Sequence, residues 1–352
     1  MGYINPYLNS KGELFREADS KGYLMKDASG KSYLIDCGDF YMGTVDLTNQ
    51  EAFDWYKEII KKNMIALGMT GWMADFGEYI PTDAVFFSGE DAKSVHNQFP
   101  VLWARCNYEA VKETGNLGKI VYFMRSGGAK SQMYSTLAWN GDQGVDFTKH
   151  DGLPSAINAT LSLAMSAYGI AHSDIGGYTS IYDNIRTADL FKRWVEMAAF
   201  TPVMRTHEGN RPKKNFQYYD DKVTMEVFSR MTEIHRMLIP YIRELVEKNH
   251  SEALPVQRPL LFYYESDEKA RDISTEYLLG RDLLICPVLE ADALETEIYL
   301  PDDEWIDIWT GEEVEPGKRV AKAEYGFIPV FYRKNGEHKD LFRDITKGFG
   351  RK

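Results

Sequence analysis

The sequence predicts an α/β fold, a (β/α)₈ TIM barrel without its first two strands over residues 1–250, followed by a small antiparallel β-sandwich over residues 251–352. Short β-like runs alternate with long amphipathic stretches through the first two thirds, the pattern of βα units around a parallel sheet. Six runs stand out: 2–5, 71–76, 119–125, 134–142, 170–175 and 202–207. A closed barrel needs eight strands, and an open doubly wound sheet carries a glycine-rich phosphate loop. No GxGxxG follows any run, so the six read as barrel strands 3 to 8, with the first two expected upstream of Met1.

Three helices follow from pattern and caps. From Asn49 to Leu67, the residues Phe53, Tyr56, Ile60, Met64 and Leu67 fall on one face, and Thr48 with Glu51 fits a capping box. A second helix is expected to open at Pro154 and close near Gly169, residue types suited to a first turn and to a left-handed cap. A third runs from Asp221 to Asn249. Beyond His250 come β-like segments, PLLFYYES, YLLGRDLLICPVLE, ETEIYLP, EWIDIWTG and FIPVFYRK, separated by turn residues such as Pro301-Asp302-Asp303.

Composition narrows the function classes. A net charge of -12 argues against phosphate-backbone binding, which depends on lysine and arginine, so no nucleic acid is expected as a partner. No run reaches roughly 18 apolar residues and no basic-then-apolar leader opens the chain, so no membrane association and a cytoplasmic location are expected. The cysteines, Cys37, Cys106 and Cys286, are odd in number and widely spaced, and are expected to be reduced and buried. No CxxC or HxH pair calls for a metal, and no cofactor is expected. A homo-oligomer remains open.

Reacting groups of a βα barrel lie at the C-terminal ends of its strands. Asp75, Arg125, Asp142, Asp174 and His207 all fall there. Any one of them alone could be a helix cap or turn former, and that reading is kept for Asp36 and Asp46. His96, His150, His235, His250 and His338 read as surface or packing residues. Two carboxylates from different strands, Asp75 and Asp142, suit glycoside hydrolysis: one is ionised to attack the anomeric carbon or activate water, and the other is protonated to serve the departing oxygen. Trp72 and Trp139 precede them by a few residues. Indoles stack on sugar rings, and they fill barrel interiors equally well.

The blocks GWMADFGE, FMRSG, WNGDQ, HSDIGGY and MRTHEGNRP resemble, in this order, those of glycoside hydrolase family 31. The resemblance implies a retaining α-glycosidase with Asp75 as nucleophile and Asp142 as acid/base, and sugar-binding roles for Glu78, Arg125, Asp174 and His207. The common α-glucosidase form of the first block is closer to W-x-D-M-N-E. Ala-Asp-Phe-Gly-Glu at 74–78, with KDASGKSYL, VDLTN and HSDIGGYTS, is more similar to the sulfoquinovosidase branch, whose sugars carry a C6 sulfonate. That branch implies a small-molecule α-sulfoquinovoside such as sulfoquinovosyl glycerol, and it places Tyr178 among the sulfonate-binding residues. The alternatives are an α-glucosidase or α-xylosidase using the same aspartates, a metal-dependent hydrolase built on His172, Asp174 and His207, and an inactive fragment.

Overall fold

A computed structural model describes residues 1–135 and 137–351; Thr136, inside the fourth β-like run, lies outside them. The chain forms two compact units, Met1–Trp139 and Asn140–Lys352.

In the first unit the order is β1 (Gly2–Ile4), β2 (Tyr7–Asn9), α1 (Glu13–Lys21), β3 (Leu34–Asp36), β4 (Tyr41–Thr44), α2 (Gln50–Ile60), β5 (Gly71–Ala74), α3 (Ala92–Glu113), β6 (Val121–Met124) and β7 (Ala138–Trp139). Parallel pairing joins β1 to β5, β5 to β6 and β6 to β7. β2, β4 and β3 form a separate antiparallel sheet. Strand ends therefore align, so the residues just past β1, β5 and β6 share one rim.

Local chemistry shifts two predicted boundaries. Asn49, not Thr48, caps α2, its side-chain oxygen accepting from the Glu51 amide at 3.0 Å. Thr48 is committed elsewhere, its hydroxyl donating to Asp46 Oδ1 at 2.6 Å. α2 continues into a π-helical turn, Lys61–Ile65, whose extra residue rotates the following face. Phe53, Tyr56, Ile60 and Met64 are buried as the periodicity predicts, whereas Leu67 is 71% exposed. The long α3 was not legible, because Pro100 inside it reads as a breaker. Cys106 is buried, but Cys37 is exposed: it sits in the tight β3–β4 turn, where its amide donates to the Phe40 carbonyl at 3.0 Å.

In the second unit the order is α4 (Leu153–Met165), β8 (Ala171–His172), α5 (Ala188–Ala198), α6 (Lys222–Glu252), β9 (Gln257–Arg258), α7 (Glu268–Asp272), β10 (Tyr277–Leu279), β11 (Leu283–Ile285), β12 (Glu295–Leu300), β13 (Trp305–Asp307), β14 (Glu313–Val314), β15 (Gly317–Lys322), β16 (Val330–Arg333) and α8 (Lys339–Phe349). An antiparallel sheet in the order β14-β13-β16-β11-β10-β9 faces the β12-β15 ribbon across Leu278, Leu284, Ile298, Leu300, Trp305 and Phe331. This is the expected sandwich. α4, α5 and α6 pack round Trp194, Met231 and Leu238.

Here too the sequence expectations need correction. α4 ends at Met165, with Ala167 in the left-handed region (φ 63°). Gly169 serves close approach instead, since a Cβ there would meet the Asn249 side chain. The predicted strand at 202–207 reduces to one bridge, Ile175 with Thr206. Within PLLFYYES, Leu260–Phe262 is a 3₁₀ turn. Among the described residues no helix is long and apolar enough to cross a membrane.

Candidate active site

In the first unit the chain leaves β5 through Asp75, Phe76 (φ 58°) and Gly77 (φ 111°). A Cβ at Gly77 would meet Ser126 Oγ at 2.8 Å, so this turn needs glycine both for conformation and for space. Asp75 is 5% exposed. Its amide donates to the Ile4 carbonyl at 2.8 Å, and its carbonyl accepts from Trp103 Nε1 at 3.1 Å. Its side chain is thus aimed by β1 and α3 together. Oδ2 accepts from the Tyr3 hydroxyl at 2.6 Å, and Oδ1 lies 3.6 Å from Arg125 Nε.

Arg125 follows β6. Its Nε donates to Glu78 Oε1 at 2.7 Å, and its guanidinium lies over the Phe76 ring at 4.1 Å. Arg125 and Glu78 therefore form one charged pair beside Asp75. Trp72 is corrected to a core role: it is fully buried, its Nε1 donates to Asn107 Oδ1 at 2.9 Å, and it stacks on Tyr122, which leaves no face for a sugar. Trp139 is likewise buried, edge-on to Phe123 at 6.2 Å.

In the second unit Asp142 sits in a turn with Gly141 at φ 85°. The turn is pinned from several sides. Asn140 Nδ2 donates to the Ala156 carbonyl and Thr160 Oγ1 on α4, and Thr179 Oγ1 donates to the Asp142 carbonyl at 2.8 Å. Its backbone is held, and the residue is half-buried.

Asp174 follows β8 and is fully buried. Burial, with the nearby Asp142 charge, pushes its carboxyl up to about 7, and Arg205 opposes that shift. Arg205 Nη2 forms an ion pair with Asp174, and its Nε donates to His172 Nε2 at 3.1 Å. His172 is thereby engaged by a cation, which disfavours it as a metal ligand. Among the described residues, the His/Cys/Asp/Glu group compact enough to hold a metal is Glu244, Glu337 and His338, which shares no residue with the predicted site. Arg205 was missed from sequence although it lies inside the MRTHEGNRP block.

The loop after Asp174 packs tightly. Gly176 and Gly177 have positive φ, and Cβ atoms there would meet Arg186 Cδ at 2.5 Å and the Gly144 carbonyl at 2.6 Å. Tyr178 meets His207 edge-on, with ring centroids 4.8 Å apart, and His207 Nδ1 accepts from the Gly209 amide at 3.0 Å. Buried Arg186 donates to the carbonyls of Gly177, His207, Glu208 and Phe216 and to Gln217 Oε1. One guanidinium thus ties together the loops that carry Tyr178 and His207. Asp46 and Asp36 accept from local amides, Thr48 and Gly38, the turn roles expected of them.

The Asp174–Arg205 pair gives a measurable expectation. In Arg205→Gln, burial and the Asp142 charge would be opposed by the Arg186 charge without Arg205, which favours the protonated form of Asp174 more than in wild type. If activity requires the ionised Asp174 carboxylate, kcat/KM should fall roughly tenfold at neutral pH, and its rising limb should move to higher pH. A pH–rate profile of the variant identical to wild type would contradict this.

The glycosyl hydrolases family 31 TIM-barrel domain model matches residues 1–245, and the family 31 C-terminal domain model matches residues 253–336. The chain is 51% identical over 345 residues to a sulfoquinovosidase of Escherichia coli, covering 98% of this chain and 51% of that protein. It is 45% identical over 348 residues to one of Agrobacterium fabrum, covering 98% and 52%. Among solved structures, a GH31 family sulfoquinovosidase from E. rectale in complex with the aza-sugar inhibitor IFGSQ superposes with a TM-score of 0.98 at 58% identity, covering 99% of this chain and 53% of that one. The chain therefore spans about half the length of these relatives. With parallel strands ending in the acidic and cationic blocks, and with both domain models matched, the chain belongs to glycoside hydrolase family 31.

Proposed function

We propose that this chain carries the catalytic machinery of a retaining α-glycoside hydrolase acting on α-sulfoquinovosides, with the barrel over residues 1–250 and the sheet domain over 251–352. The supporting observation is the gradient of similarity: 51% and 45% identity to sulfoquinovosidases, against 28% to the α-xylosidase XylQ and 24% to an α-glucosidase.

Asp75 is the nucleophile. One of its oxygens bonds to the anomeric carbon as the glycosidic bond breaks, and Asp142 delivers a proton to the leaving oxygen. Water then attacks the glycosyl ester, Asp142 takes its proton, and the ester bond breaks to restore Asp75. Arg125, Glu78, Asp174 and His207 bind ring hydroxyls, and Tyr178 faces the C6 substituent. No step calls for a metal.

The test compares 4-nitrophenyl α-sulfoquinovoside with its α-glucoside counterpart. A site whose polar groups are built for one substituent rejects the analogue lacking it by roughly 10⁴-fold, so kcat/KM should favour the sulfonated sugar by about that factor. Comparable values would return the chain to the α-glucosidase or α-xylosidase reading.

A further inference from the structure

We infer that Tyr3 is a positioning residue for the nucleophile: its phenol holds one oxygen of Asp75 so that the other attacks, and it stabilises that carboxylate as the glycosyl ester breaks. The inference rests on the reading of Asp75 as nucleophile and adds to it a residue that none of the catalytic blocks contains.

The geometry is specific. β1 and β5 pair in parallel with Tyr3 beside Met73, which brings the Tyr3 ring alongside the strand end that Asp75 follows. Tyr3 O–H donates to Asp75 Oδ2 at 2.6 Å. A second contact sets the direction of that proton: Asn5 Nδ2 donates to the phenol oxygen at 3.2 Å, occupying a lone pair and leaving the hydroxyl hydrogen for Asp75. Asn5 is fixed in turn, its Oδ1 accepting from the Tyr7 amide at 2.9 Å. Burial of its hydroxyl end, together with the neighbouring Asp75 carboxylate, pushes the Tyr3 phenol well above its ordinary value, so it stays a donor at every working pH.

With Phe76 and Tyr79, Tyr3 lines a cavity of about 670 Å³. Its one polar atom is spent on a nearly buried carboxylate, so the ring contributes a directed hydrogen bond as well as apolar contact.

The consequence for the two steps is asymmetric. In the first, Asp75 gives up negative charge as its oxygen bonds to the anomeric carbon, the glycosidic bond breaks, and the Asp142 proton leaves with the aglycone oxygen. In the second, water bonds to the anomeric carbon, its proton passes to Asp142, and the ester electron pair returns to Asp75. A donor to the carboxylate strengthens as that charge returns, so Tyr3 accelerates ester breakdown while keeping its own proton throughout.

The experiment is Tyr3→Phe, which removes one oxygen atom and keeps the ring. With an activated aryl glycoside, where ester breakdown limits turnover, kcat should fall roughly ten- to a hundredfold, and KM should fall with it because the intermediate accumulates. Unchanged kcat overturns the inference, as does a loss of kcat accompanied by a lowered melting temperature and a raised KM. Peptide mapping after labelling wild type with a 5-fluoro glycosyl fluoride separates the two claims. An adduct on Asp75 with an indifferent Tyr3→Phe defeats the role of Tyr3 alone, whereas absence of an adduct on Asp75 defeats the nucleophile assignment and the role of Tyr3 together.

Discussion

Asp75→Asn is expected to lower kcat by roughly 10⁴-fold or more on every substrate, with the melting temperature little changed. The size follows from chemistry: a neutral amide is a poor nucleophile, and the neighbouring Glu78 carboxylate is engaged by Arg125. Neighbours sharpen the effect. Tyr3 donates to Oδ2 at 2.6 Å, and Arg125 Nε lies 3.6 Å from Oδ1. Both are arranged for an anion, and the amide nitrogen of asparagine presents hydrogens to one of them. Single-turnover assays with an aryl glycoside check the loss, and a residual rate within tenfold of wild type would remove Asp75 from its role.

Asp142→Ala is expected to discriminate between substrates. A natural glycerol glycoside leaves as an alkoxide unless it is protonated, so its hydrolysis should fall by roughly 10³- to 10⁴-fold, within the range that general acid–base catalysis supplies. A dinitrophenyl leaving group departs without help. Its first step should survive, and the ester should then accumulate because no base activates water. Added azide needs no base and should restore turnover, giving an α-glycosyl azide. Asn140 and Thr179 hold the turn through groups other than the Asp142 side chain, and an unchanged melting temperature checks that the fold survives the substitution. Equal losses on both substrates, without azide rescue, would count against Asp142 as acid/base.

What the sequence disclosed depended on how each residue reaches its place. Asp75 and Arg125 could be singled out because each ends a β-like run, and the parallel pairing of β5 with β6 carries those two ends to one rim; Asp174 likewise follows β8. Tyr3 was not, because its role comes from lateral pairing of β1 with β5, which no local pattern records. Arg205 was hidden for a different reason: its run forms no strand, and its partners Asp174 and His172 lie some thirty residues away. Trp72 shows the reverse error. An indole near an aspartate proposed as nucleophile suggests a sugar platform, yet alternation along β5 turns Trp72 into the core, where Asn107 satisfies its N–H. At the start of α2 both Thr48 and Asn49 are good caps, and only the side chain of Asp46 decided between them.

Arg186 bears on attempts to re-engineer specificity. Because its guanidinium answers carbonyls at 177, 207, 208 and 216 at once, those segments behave as one cassette. Grafting the Tyr178 segment from a paralogue by itself would orphan acceptors in the recipient, so chimaeras are better made by exchanging residues 174–217 whole.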